Sequence, residues 1–300
     1  MDGLLEVKKQ IKTYVETIAD QKSIELLDLL PSGKMLRSKL ILKIAGISDE
    51  SIKLCAVVEM IHAASLLHDD VIDDATTRRG QQTINSIFDN KTSIMFGDIL
   101  YSKAFTELTK MPQNIAYTIS NAVTLLSVGE LIDVELSKTF NTSYDKYLDM
   151  IYKKTASLIE ASAKSAAIMS SKNSDNFSIY GRNLGLAFQM IDDILDITED
   201  SAKLGKPSML DFVEGKVTIP YLLLWDRIND GDKLILQSLY KKALTHDELE
   251  WIKSKMNETS VVMDSIKMAR KYGLEAIEAI KDEQNEELVL IMTSMIERDF

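Results

Sequence analysis

Cysteine is almost missing from this chain: Cys55 is the only one in 300 residues. No internal disulfide can form, so stability must come from a packed core, and the expected compartment is a reducing cytoplasm. Proline is scarce at four and glycine at twelve, which leaves few places where a helix must break. An excess of positive charge is absent too. Lys and Arg number 35 against 46 Asp and Glu, a net charge of -11, which argues against nucleic acid as a partner. An anionic ligand would meet a repelling bulk field, and local cations would have to overcome it. Long apolar runs are lacking as well. The longest uncharged stretch, residues 111–129, carries Gln113, Asn114, Ser120, Asn121 and Ser127, and reads as a buried helix rather than a transmembrane segment. The first residues, Met1 to Lys8, lack a signal-peptide layout. No repeat, low-complexity tract or linker divides the chain, so one domain over 1–300 is expected. The alternation of strands is missing throughout.

What is present is apolar and helix-forming. Hydrophobic residues make up 45% of the chain, fourteen of them Met, alongside abundant Leu, Ile, Ala, Lys and Glu. Amphipathic or apolar helical patterns cover 2–19, 36–46, 50–70, 91–109, 113–138, 143–170, 175–198, 217–228, 233–241, 246–256, 259–281 and 284–298. Thr245 to Glu248 forms a capping box, and Pro31-Ser32-Gly33 precedes a helix start. Helices of this length predict an all-α fold, a large single-domain bundle around a deep central cavity.

One aspartate pattern occurs twice, at Asp69-Asp70-x-x-Asp73 and, 123 positions on, at Asp192-Asp193-x-x-Asp196. Each ends an apolar helical run. Positions i and i+4 share a helix face, so Asp69 pairs with Asp73 and Asp192 with Asp196. Like charges there repel, and a helix C-terminus is itself negative. Acidic clusters at helix ends are usually solvated surface. Two of identical spacing, each trailed by basic residues, point instead to bound cations. A few carboxylates suit Mg²⁺, which keeps water and takes its other ligands from phosphates.

The basic residues fit an anionic ligand. Arg78-Arg79-Gly80 follows the first motif and offers planar donors to phosphate. Lys203, Lys206 and Lys216 follow the second, in a glycine-punctuated loop. Lys34 and Arg37, three apart, are expected in the first turn of a helix, where an anion binds well. Lys154-Thr155 lies mid-helix, where a solvated lysine is the ordinary reading. His62 and His68 lack zinc-ligand company, and a lone helix histidine is usually structural; His62 lies near the face of Asp69.

Taken together, His68-Asp69-Asp70-x-x-Asp73, Arg78-Arg79-Gly80, Gly129-Glu130, Lys154-Thr155, Phe188-Gln189-x-x-Asp192-Asp193-x-x-Asp196, Gly205-Lys206-Pro207 and Gly215-Lys216-x-Thr218 resemble the trans-isoprenyl (polyprenyl) diphosphate synthases, over residues 30 to 225. The resemblance implies an all-α fold of the isoprenoid synthase type and a homodimer. It implies Mg²⁺, three ions per site, on Asp69, Asp73 and Asp192, with Asp70, Asp193 and Asp196 in support. An allylic diphosphate such as farnesyl diphosphate would meet Arg78, Lys154, Thr155, Lys206, Lys216 and Gln189. Isopentenyl diphosphate would meet Lys34, Arg37, His62 and Arg79. Asp69, Asp73, Asp192, Lys154 and Lys206 are the implied catalytic set. Departures from the family pattern are Ser32, Met35 and Ser38, in place of Gly, Arg and Pro, and Gln82 in place of Pro. Product length would be read by Ala64 and Ser65, with Met60 and Ile61 a turn deeper. These small residues before the motif imply a medium to long, octaprenyl-like product, handed to the membrane as a quinone side chain. The alternatives are a short-chain farnesyl or geranylgeranyl synthase, a class I terpene cyclase, and a non-catalytic subunit of a heteromeric synthase. The second intact aspartate motif disfavours the last two.

Overall fold

The computed structural model describes residues 2–31, 33–198 and 208–297. The described chain is nearly all helix and falls into two compact units: Met1–Thr124 with Leu158–Ser178, and Leu125–Ser157 with Ile179–Phe300.

In the first unit, α1 (Asp2–Glu16) leads to α2 (Gln21–Leu29), α3 (Leu36–Ala45) and α4 (Asp49–Ile72). Helix α2 lies outside the helices expected from sequence. It is short and mostly polar, and its start is set by Asp20, whose carboxylate accepts the Ser23 N–H at 2.8 Å. Ser48 and Ser51 cap α4 reciprocally. A hairpin follows, β1 (Thr77–Arg78) against β2 (Gln81–Gln82), then α5 (Ile84–Ile87) and α6 (Asn90–Leu108). Two-residue strands leave no alternation to read, which is why the sequence pattern missed them. Helices α4 and α6 approach closely at Gly97, where a Cβ would meet His68 Nε2 and stand 2.7 Å from His68 Cδ2 and 3.3 Å from the Ala64 carbonyl.

Helix α7 (Gln113–Leu136) carries the chain to the segment expected as one helix over 143–170. That segment is α8 (Tyr144–Ile151), a π-helical turn over Tyr152–Ala156, and α9 (Ser157–Met169). Helix α10 (Ser174–Thr198) bears the second motif. The remaining helices are α11 (Leu210–Glu214), α12 (Ile219–Arg227), α13 (Asp230–Leu239), α14 (His246–Glu258), α15 (Val261–Ala279) and α16 (Glu286–Ile296). Thr245 and Glu248 form the expected capping box. The second unit's core joins Tyr147, Ile151, Met190, Ile194, Phe212, Tyr221, Leu224 and Leu236, among others. Helices α4 and α7 are long and apolar enough to cross a membrane by length and composition; α4 buries 56% of that stretch within the fold, whereas α7, expected from sequence as a buried helix, buries only 33% of its own.

Candidate active site

The first aspartate cluster sits where α4 ends. Asp73 is the C-cap residue, and its N–H bonds the Asp69 carbonyl at 2.9 Å. Asp69 and Asp73 are partly exposed, whereas Asp70 is buried. Carboxylates at this end of a helix face its negative pole. Arg78 offsets that charge: its Nη2 donates to Asp69 and its Nε to Asp70, both at 2.6 Å. Burial pushes the Asp70 carboxyl up, and Arg78 pulls it back.

The hairpin is what delivers Arg78 to the aspartates. Its two loop residues, Arg79 and Gly80, both have positive φ, 53° and 75°, as in a type I′ turn. Glycine takes that conformation freely; arginine takes it at a cost, a strain of the kind that gathers at functional sites. The Arg79 guanidinium lies against Gly33, where a Cβ would stand 2.6 Å from its Nη1.

Arg37 and His62 join this basic group. Burial pushes the Arg37 guanidinium down to about 10, although nearby Glu59 favours its charge. Its buried Nε has no hydrogen-bond partner. Burial, with Arg37, Arg79 and Arg78 nearby, holds His62 well below the ordinary histidine range, so the ring is neutral. Glu59 accepts both the N–H and the hydroxyl of Ser38, at 3.2 and 2.7 Å. Proline, common at this position in the resembling family, could supply neither bond. Lys34 departs from expectation. Met35 takes the left-handed conformation (φ 49°) as N-cap, so α3 begins at Leu36 and Lys34 lies before the helix, not in its first turn.

In the second cluster, Asp192 is exposed while Asp193 and Asp196 are 3% and 2% exposed. Sharing a helix side does not give Asp192 and Asp196 the same surroundings. Asp193 accepts Tyr147 Oη at 2.6 Å and Gln189 Nε2 at 2.9 Å. Gln189 Oε1 in turn accepts the Thr155 hydroxyl at 2.8 Å. Asp196 accepts the backbone N–H of Asp211 at 3.2 Å, which pins α11. Burial pushes the Asp193 carboxyl well up, and the two donors oppose that shift. Asp192 is thus placed to meet a solvated cation, and its two neighbours are placed to orient the helix end.

Lys154 and Thr155 lie in the π-turn, a feature often found at functional sites. Lys154 Nζ pairs with Asp133 at 2.6 Å and Glu130 at 2.9 Å. Two glycines admit the wide turn. A Cβ on Gly129 would stand 2.7 Å from Lys153 C and Lys154 Cα, and one on Gly185 would stand 2.6 Å from Ala156 Cβ. Lys216 pairs with Glu214 at 3.0 Å. Lys203, Gly205, Lys206 and Pro207 lie outside the described residues.

Of the chain-length candidates, Met60, Ile61 and Ala64 are fully buried, and the Ser65 hydroxyl bonds the His62 carbonyl at 2.8 Å. A cleft beside Asp70 and Arg78 is lined from α4 by Ala63, Leu66 and Leu67 rather than by those four. Sequence reasoning missed Tyr147, Glu59 and Asp133. The adjacent Gly129-Glu130 was the signal that could have led to Asp133, three residues further on. Among the described residues, no three metal-ligating side chains converge. The partly exposed Asp69 and Asp73 and the exposed Asp192 supply only oxygen, so this donor set fits an ion held mainly by water and ligand oxygens, as Mg²⁺ is.

The profile of the polyprenyl synthetase family matches residues 24–256. Solanesyl-diphosphate synthase 1, mitochondrial, from Oryza sativa subsp. japonica is 36% identical over 251 residues, which cover 81% of this chain and 57% of that protein. The chain therefore spans less than two thirds of that relative. Among solved structures, octaprenyl pyrophosphate synthase from Helicobacter pylori aligns over 99% of both chains at 42% identity, with a TM-score of 0.94. The polyprenyl synthase from Caulobacter crescentus CB15, complexed with calcium and isoprenyl diphosphate, aligns over 99% of this chain and 95% of its own at 28% identity, with a TM-score of 0.90.

Proposed function

The chain belongs to the polyprenyl synthetase family and is a prenyltransferase, and on that premise we propose that it condenses an allylic diphosphate with isopentenyl diphosphate in repeated trans elongations to a product of octaprenyl-like length. The observation that carries this reading is the pairing of partly exposed carboxylates, Asp69 and Asp73, with a basic group whose buried Arg37 Nε lacks a partner. A buried guanidinium N–H without an acceptor suits an anion's oxygen.

In this reading Arg37, Arg79, Lys34 and neutral His62 hold isopentenyl diphosphate. Lys154, Thr155, Gln189, Lys206, Lys216 and Arg78 serve the allylic diphosphate. Asp69, Asp73 and Asp192 hold Mg²⁺, and Asp70, Asp193 and Asp196 orient them; calcium bound with isoprenyl diphosphate in the Caulobacter protein supports a divalent ion here. When bound, the ion neutralises charge building on the departing diphosphate. The carbon–oxygen bond of the allylic substrate breaks, the alkene of isopentenyl diphosphate attacks the allylic carbon, and proton loss restores a double bond. Cationic side chains fixed beforehand stabilise that leaving group without reorganising. The small Ala64 and the similarity to an octaprenyl synthase support the longer product. A homodimer is part of the proposal, and exposed Leu131 and Val134 on α7 support it. So are a cytoplasmic location and use of the product as a quinone side chain.

The test is incubation of the purified protein with Mg²⁺, farnesyl diphosphate and labelled isopentenyl diphosphate, followed by product sizing. Products near eight isoprene units are expected. No labelled product would overturn the activity, and products ending at farnesyl or geranylgeranyl length would overturn the chain length alone.

A further inference from the structure

The short helix α11 ends at Gly215, whose φ of 96° an L side chain rarely adopts. A Cβ there would also stand 2.9 Å from the Ser137 carbonyl. The turn that carries Lys216 is therefore pressed against the end of α7, a helix terminus whose last carbonyls have no partners within the helix. Tyr240, just past α13, enters this junction. Its hydroxyl lies 2.7 Å from the Gly215 carbonyl, 2.9 Å from that of Ser137 and 3.1 Å from that of Thr139. Lys241 Nζ reaches Ser137 as well, at 3.2 Å.

We propose that Tyr240 is a positioning residue for Lys216, its hydroxyl donating to the Gly215 carbonyl, the nearest of the three, and so fixing beside the end of α7 the point from which Lys216 extends. The proposal rests on the reading that Lys216 serves the allylic diphosphate. A phenol has one proton to donate, so the three carbonyls share it and the hydroxyl remains a donor to one of them at any instant. Burial, with Asp133 nearby, pushes the phenol up to about 12, and it keeps that proton over the working pH range. The ring cannot swing away. Phe140 and Phe212 both meet it edge-on, at centroid separations of 5.4 and 5.9 Å. Past Lys216, the chain is anchored by buried Val217, Thr218 and Ile219. Before it, the Lys216 N–H bonds the Asp211 carbonyl at 2.7 Å. Gly215 is the link with no side chain of its own to hold it, and Tyr240 supplies the hold from 25 residues away.

Tyr240→Phe removes the hydroxyl and leaves the aromatic cage. Amide hydrogen exchange over residues 212–218, measured without substrates, is expected to quicken by about two- to tenfold, the worth of one hydrogen bond. In steady-state assays the KM for the allylic diphosphate should rise by a similar factor, with the KM for isopentenyl diphosphate unchanged. In a Lys216→Ala background, Tyr240→Phe should add no further loss. Unchanged exchange, equal shifts in both KM values, or full additivity with Lys216→Ala would each overturn the proposal. A wild-type protein without prenyl transfer would sink the functional reading instead and leave the exchange result to judge the clamp.

Discussion

Replacing Gly129 by alanine tests how tightly the π-turn is fitted. A Cβ at this position would stand 2.7 Å from both Lys153 C and Lys154 Cα. Carbon atoms pack at about 3.5–4.0 Å, so the two backbones would have to part by about 1 Å. These atoms and the still nearer Lys154 N all belong to the main chain, and no flexible side-chain end can yield. Overfilling a packed interior costs about 1–3 kcal/mol, and a backbone obstruction belongs at the upper end, about 3 kcal/mol. At about 2–4 °C per kcal/mol for a large domain, the melting temperature should fall by roughly 6–12 °C. Turnover should fall further than stability suggests. Lys154 is held by Glu130 and Asp133, on the same helix as Gly129, and a displacement of about 1 Å at a positioned group can cost about 100-fold. Thermal unfolding by circular dichroism and initial rates of prenyl transfer, on the same preparation, give both readings. A Gly129→Ala protein that melts within 2 °C of the parent and turns over within a factor of two, both roughly set by assay scatter, would refute the close approach.

Asp69→Ala and Asp192→Ala should each lower turnover by about 100-fold or more while both proteins stay folded; the melting temperature should barely move for exposed Asp192 and should fall for Asp69, which loses its bond from Arg78; near-normal turnover in either would end the metal assignment. Arg37→Ala should weaken isopentenyl diphosphate by about 10- to 100-fold, the worth of one charged hydrogen bond, and the allylic substrate far less, as separate KM measurements would show. Ala64→Phe should shorten the product toward farnesyl or geranylgeranyl length. Ala64 is fully buried beside the α4–α6 crossing, so the change should also cost about 1–3 kcal/mol; a stable variant making the original product would remove Ala64 from the tunnel wall. His62 is neutral in the folded protein, its folded pKa lying below the unfolded value of about 6.5. The unfolded chain therefore binds the proton first as pH falls, and this residue's contribution declines below about pH 6.5. Denaturant midpoints at pH 7.5 and 5.5 should differ more for the parent than for His62→Gln, and identical differences would contradict a neutral His62.

The long helices were legible because their apolar period persists over many residues, as in α4 and α10. Their caps were legible where side chains do the capping, as at Thr245 and Glu248. What escaped was set by backbone geometry or by distant partners. Helix α2 is too short and polar to show a stripe. The start of α3 is displaced by Met35, whose left-handed conformation no residue type announces. The aspartate spacing singled out six residues but did not show how differently the fold surrounds them. Asp192 faces solvent, while Tyr147, 46 positions away, lies against Asp193. Arg78 was expected beside phosphate, yet it first meets Asp69 and Asp70, because a two-residue turn folds it back onto α4. Such pairings depend on where the chain returns in space.

The π-turn at Tyr152–Ala156 has a consequence for how this helix can change over time. An i→i+5 ladder holds one residue more than the α-helix on either side needs. Losing that residue would leave a continuous helix but would turn everything after it by about 100°. Ser162 and Lys164 would then come where Ala161 and Ala163 now lie. Length and phase are interchangeable at this point, and the backbones at Gly129 and Gly185 lock the exchange. A one-residue deletion here would therefore have to be accommodated against both glycines at once.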